Sequence, residues 1–161
     1  MKIVIGADHG GYLLKQAVAV LLKKLRHVVV DVGAFTNEPS DYPDFAKAVA
    51  EHVIKKKAER GILICGSGVG ACIAANKFAG IRASVCHDTF SARQGVEDDD
   101  MNVLCLGARV LGQELAAEII KTFLAAKFSN APRHRRRLQK VTAIEKTCRN
   151  SGTPSQETGN A

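Results

Sequence analysis

The sequence predicts an α/β fold in which a parallel sheet is covered by helices on both sides. Two observations carry this. Five short runs are apolar on both faces, as strands buried between two layers must be, and amphipathic stretches of helical period separate them. A third observation concerns function: the unusual polar and glycine residues follow the strands, and parallel sheets bind ligands at the carboxyl ends of their strands.

Each element can be justified in turn. "KIVIGA" (2–7) is a buried strand. "GYLLKQAVAVLLKKL" (11–25) is a helix with Leu14, Ala17, Val18, Leu21, Leu22 and Leu25 on one face. "HVVVDVG" (27–33) is a strand, and Pro39 and Pro43 mark 36–43 as loop. Residues 44–57 form a second amphipathic helix, and "GILIC" (61–65) is the third strand. Glycines then open a helix running to about Lys77. "RASVCH" (82–87) is a strand, with Asp88 or Thr89 capping the helix behind it. "NVLCLG" (102–107) is the fifth strand. Residues 112–128 form a helix with Leu115, Ile119, Ile120 and Phe123 inward, and 133–147 a last, basic helix. One domain over 1–148 is expected, followed by a polar tail, 149–161, that lacks periodicity and reads as disordered.

The 161 residues are 46% hydrophobic and 24% charged, a globular composition. No apolar stretch approaches the ~18 residues that span a bilayer, and the N-terminus turns polar too soon for a signal peptide. No membrane role is expected. The five cysteines are odd in number and lack CxxC spacing, which argues against a disulfide framework or zinc site and for a reducing cytoplasm. Cys86 and Cys105 lie in apolar strand runs and read as small core residues. The net charge of +7 is concentrated late in the chain. From 131 onward Arg133, Arg135, Arg136, Arg137, Lys140, Lys146 and Arg149 face only Glu145 and Glu157. Aromatic residues to stack on bases are missing there, so nucleic acid is not the expected partner; a phosphorylated ligand or a solvated basic face fits better.

The loop after the third strand, Gly66-Ser67-Gly68-Val69-Gly70, lets backbone amides converge on negative charge. It is neither GxGxxG nor a Walker loop, which weakens a mononucleotide reading and leaves a bare tight turn as the plain alternative. Cys65 stands directly before it. Converging amides favour a thiolate. A thiolate there can be a nucleophile with His9 or His87 as partner, or a base that moves a proton beside a carbonyl while amides and the Ser67 hydroxyl stabilise the enediolate. The second fits the donors better; a purely structural Cys65 remains open. Asp8 can accept from sugar hydroxyls. Arg109, Arg133, His134 and Arg137 can hold a phosphate, because guanidinium forks match phosphate oxygens and Arg133 and Arg137 lie one helical turn apart.

The motifs "GADHGG", "DYPDFA", "CGSGVG…AANKFAGIRA", "NVLCLGARVLG" and "RHRRR", in that order, resemble the type B ribose-5-phosphate isomerases. That family is shared with galactose-6-phosphate and allose-6-phosphate isomerases, and the resemblance covers roughly 1–148. It implies a Rossmann-like, five-stranded three-layer α/β/α sandwich. It also implies a homodimer, or a tetramer, with active sites completed at the interface. The implied reaction interconverts ribose 5-phosphate and ribulose 5-phosphate through an enediolate, with no metal or cofactor. Cys65 matches the proton-shuttling base, Gly66 to Gly70 the oxyanion loop, and Asp8, His9 and Tyr42 sugar-contacting positions. Arg109, Arg133 and Arg137 match phosphate ligands, with His134 nearby. The family's ring-opening histidine is replaced by Asp98, followed by Asp99 in the substrate-binding segment. An ionised aspartate donates no proton but can act as a base on the anomeric hydroxyl; the ring oxygen then needs another acid, such as His9 or water. The same change fits another four- to six-carbon sugar phosphate, or a sugar-phosphate-binding protein without catalysis.

Overall fold

Strand runs that are apolar on both sides are suited to burial on both faces, and in the computed structural model, described over residues 1–150 with side chains to Thr147, the three central runs are buried in this way while the two edge runs are partly exposed. Strands β1 (Lys2–Ala7), β2 (Val28–Asp31), β3 (Arg60–Cys65), β4 (Ala83–Val85) and β5 (Val103–Gly107) form one sheet in the order β2-β1-β3-β5-β4, all parallel. Six α-helices accompany them among the described residues: α1 (Tyr12–Lys24), α2 (Tyr42–Ile54), α3 (Val69–Ala75), α4 (Thr89–Asp99), α5 (Gln113–Ala125) and α6 (Pro132–Asn150).

The period-two alternation of side chains sorts each strand between two cores. Ile3, Ile5, Ile62, Ile64, Leu104 and Leu106 face α1, α4 and α5, with Leu22, Val96, Ile119 and Phe123 completing that core. Val4, Leu63, Cys65, Val103 and Cys105 face α2 and α3, against Val49, Val53 and Ala71. This is the α/β/α sandwich expected from the sequence. Cys86 and Cys105 are core residues, as their setting predicts.

Differences concern boundaries and faces. Leu25 is 38% and Leu115 45% exposed, so neither belongs to the core assigned by periodicity; Leu25 lies past the last turn of α1, and Ala116 takes the inward position in α5. Lys15 points inward instead, fully buried, with Nζ 2.6 Å from both carboxylate oxygens of Asp31. Edge strand β2 is shorter than 27–33. Helix α2 begins two residues early, because Pro43 falls in its first turn, where a missing N–H is harmless. Asp88 caps α4, its carboxylate accepting from the Ser91 N–H at 2.7 Å. The basic helix is longer at both ends than 133–147; the expected tail from 151 lies outside the described residues.

Chain order reverses between β1 and β3. The chain leaves β1 toward β2 on one side and β3 toward β5 and β4 on the other, so the loops diverge and open a crevice at their carboxyl ends. Residues 8–10 and 65–67 form its two walls.

Candidate active site

The crevice is a cleft of about 310 Å³ lined by Asp8, His9, Gly10, Tyr42, Cys65, Gly66, Ser67, Gly70, Arg109 and Val110. Cys65 ends β3 and is 4% exposed, with its sulfur accepting the Gly68 N–H at 3.1 Å. That amide is aimed by an unusual backbone: Gly68 has φ +81°, where any side chain would be strained, and a Cβ would come within 3.0 Å of the Leu106 carbonyl carbon. An amide dipole directed at sulfur stabilises negative charge on it.

The loop's donors divide. The Gly68 N–H serves the sulfur, and the Val69 N–H donates to Ser67 Oγ at 3.3 Å. Neither Gly68 nor Val69 lines the cleft, whereas Gly66, Ser67 and Gly70 do. Ser67 Oγ, already an acceptor, keeps its own proton to give. Gly70 is small because the Tyr42 ring lies over it; a Cβ there would meet Tyr42 Cζ at 2.8 Å. Tyr42 in turn starts α2.

The other wall follows β1. Asp8 is 8% exposed and spends one carboxylate oxygen on the Gly11 N–H at 3.0 Å, capping the short 3-10 turn at 9–11. The His9 amide donates to Ser40 Oγ at 3.0 Å, and its ring Nδ1 lies 3.1 Å from the Ser40 main chain. The ring is therefore fixed through Nδ1, leaving Nε2 for the cleft; accepting from the Ser40 N–H puts the proton on Nε2, and donating to the Ser40 carbonyl puts it on Nδ1. Arg109 follows β5. Its amide donates to the Gly66 carbonyl at 3.0 Å, and its guanidinium lies beside Gly66.

Not every residue singled out from sequence joins this cleft. Asp98, Asp99, Arg133, His134 and Arg137 do not line it. Asp99 lines a different groove, of about 610 Å³, under α6 together with Val141, Ile144 and Glu145; that groove holds neither thiol nor histidine. Asp98 sits at the end of α4 against His134, and Arg133 and Arg137 are exposed on α6. Sequence reasoning passed over Ser40, which orients His9, and Ser129, whose Oγ lies 2.6 Å from His134 Nδ1. Both lie in polar connections without periodicity. No group of acidic, histidine or cysteine side chains suited to a metal occurs among the described residues.

A sequence model of the family described as Ribose/Galactose Isomerase matches residues 3–141. The chain is 45% identical over 144 residues to ribose-5-phosphate isomerase B of Escherichia coli, covering 89% of this chain and 96% of that protein. It is 44% identical over 129 residues to D-erythrulose-4-phosphate isomerase of Pectobacterium atrosepticum, covering 80% and 85%. Among solved structures, ribose-5-phosphate isomerase B of Clostridium thermocellum aligns with a TM-score of 0.90 at 50% identity, covering 92% of this chain and 99% of that one.

Proposed function

Because the chain belongs to the ribose/galactose isomerase family, we propose that its cleft interconverts ribose 5-phosphate and ribulose 5-phosphate through an enediolate. The Cys65 thiolate removes the proton from C2 of the open-chain aldose and returns it to C1. Electron density passes to the carbonyl oxygen, where the Gly66, Ser67 and Gly70 amides are the available donors. The Ser67 hydroxyl protonates O1, and the C2 hydroxyl proton replaces it on serine, so the step balances without a redox partner. Asp8 accepts from a sugar hydroxyl through the oxygen not held by Gly11. His9, in the tautomer that accepts the Ser40 N–H and presents Nε2–H, supplies the acid for the ring oxygen that Asp98 does not provide.

Arg109 is the guanidinium that lines the cleft with the thiol, beside Gly66. Arg133 and Arg137 complete the phosphate site from α6 of a second copy, making the working unit a homodimer. Support for this is the placement of both on a helix away from their own cleft. The four free thiols among the described residues fit a reducing cytoplasm, and none of the described helices is long and apolar enough to cross a membrane.

One observation carries the reading: a sulfur held by an amide and lining a cleft that a guanidinium also lines. A coupled assay with ribose 5-phosphate tests it. Turnover in the parent and its loss in Cys65→Ser are expected; a parent that binds ribose 5-phosphate without converting it would be a sugar-phosphate-binding protein instead. A second reading, a tetrose phosphate substrate, is favoured by Asp98 in place of histidine and by the likeness to D-erythrulose-4-phosphate isomerase. A four-carbon sugar phosphorylated at C4 forms no furanose ring and needs no ring-opening acid. Comparing kcat/KM for ribose 5-phosphate and erythrose 4-phosphate decides between them.

A further inference from the structure

Arg133 and His134 are neighbours in the first turn of α6 but occupy opposite settings. Arg133 is exposed, while His134 is 3% exposed and is held at both ring nitrogens. Arg133 Nε–H donates to His134 Nε2 at 2.9 Å. A ring nitrogen that accepts carries no proton, so the imidazole proton sits on Nδ1. Nδ1 lies 2.6 Å from Ser129 Oγ and 3.4 Å from Asp98 Oδ1. These two are anchored in turn: Gln94 Nε2 donates to Asp98 Oδ2 at 3.3 Å, and the Ser129 N–H donates to the Glu97 carbonyl at 2.9 Å. The end of α4, the connection after α5 and the start of α6 thus converge on one buried imidazole.

We propose that Asp98, Ser129 and His134 form a positioning relay for Arg133. The carboxylate and hydroxyl hold the imidazole proton on Nδ1, and Nε2 then grips the Arg133 Nε–H. With Nε engaged, the guanidinium keeps its two terminal nitrogens as an end-on fork for a phosphate. A flexible arginine stem samples many rotamers, and a fixed Nε removes most of that search before the anion arrives. Partners of this kind behind a ligating side chain set its orientation and affinity, as carboxylates do behind metal-bound histidines. In this relay Asp98 acts through His134. The inference rests on the proposed function only in taking phosphate as the anion.

Calorimetry with inorganic phosphate on the full chain tests the relay, alongside steady-state kinetics. His134→Leu, which removes both ring contacts, is expected to weaken phosphate binding and raise KM about tenfold, the low end of what such supporting partners contribute, with kcat changed far less. His134→Gln, whose amide oxygen can receive the Arg133 Nε–H, recovers most of the loss. In an Arg133→Ala background His134→Leu adds nothing, because the group it positions is gone. Asp98→Asn, at a side chain 29% exposed, keeps the fold and weakens phosphate binding severalfold, so the relay stays testable if His134→Leu does not fold. Unchanged phosphate affinity in Arg133→Ala, or an equal effect of His134→Leu with and without Arg133, overturns the proposal. Should phosphate binding follow the relay while ribose 5-phosphate is not isomerised, the functional reading fails and the relay stands.

Discussion

Replacing Cys65 separates chemistry from folding more sharply than any other change. Its side chain is 4% exposed, and its sulfur accepts one hydrogen bond, from the Gly68 N–H at 3.1 Å. In Cys65→Ser the hydroxyl oxygen can take that bond, so the structural cost stays near the ~1 kcal/mol of one hydrogen bond. Cys65→Ala leaves the amide facing an emptied site and costs about 1–3 kcal/mol. Either loss is small against the ~5–15 kcal/mol that holds a domain together. The chemical loss is larger, because removing a positioned base lowers the rate about 10²–10⁴-fold. At ~1.36 kcal/mol per tenfold, that is about 2.7–5.5 kcal/mol of barrier. Both variants should therefore melt close to the parent and bind inorganic phosphate normally, yet fail to exchange the C2 proton with solvent deuterium, as read by proton NMR. Cys72→Ala, altering the half-buried thiol of α3, should exchange at the parent rate. Exchange in Cys65→Ala at the parent rate would refute the assignment of the base.

Three further outcomes are expected. Asp98→His should speed turnover of cyclic ribose 5-phosphate more than that of a tetrose phosphate unable to close a ring, while any rise in KM is common to both; equal gains on the two sugars would remove ring opening from the explanation. Gly68→Ala forces a side chain into the left-handed region and against Leu106, costing about 1–2 kcal/mol for the backbone alone; urea denaturation measures this, and activity should fall further because the amide no longer meets the sulfur. Cys72 accepts a hydrogen bond from the Cys105 thiol, which holds its pKa down to about 7 and pushes that of Cys105 up. Its alkylation by iodoacetamide should therefore rise with pH through a midpoint near 7, and in Cys105→Ala the midpoint should move up toward that of an ordinary thiol; a midpoint unmoved by that change would discount the hydrogen bond.

The strands and the cleft were legible because their signals are local. Unbroken apolar runs such as Ile62–Ile64 suit the buried centre of a sheet, and the glycines after Cys65 sit where the chain leaves it. Asp8, His9, Cys65, Ser67 and Arg109 come together because strand ends share one edge. The helical period assigns the charge of Lys15 to solvent, and only the tertiary fold supplies Asp31 as its partner. Leu25 and Leu115 fit the period but fall at helix ends, where the chain has left the sheet. The basic run around His134 marks it as a phosphate neighbour; its burial depends on Ser129 and Asp98, which no spacing rule connects to it.

Of the three arginines, Arg109 alone shares the cleft with Cys65, and Arg133 and Arg137 ride on α6. In the proposed dimer, a chain's thiol serves one site and its α6 arginines the other. Damage to the two halves can then be complemented. Cys65→Ala subunits exchanged with Arg137→Ala subunits regenerate one whole site in every hybrid pair, although each parent preparation is inert. Cys65→Ala with Arg109→Ala regenerates none, since both lesions strike the same half.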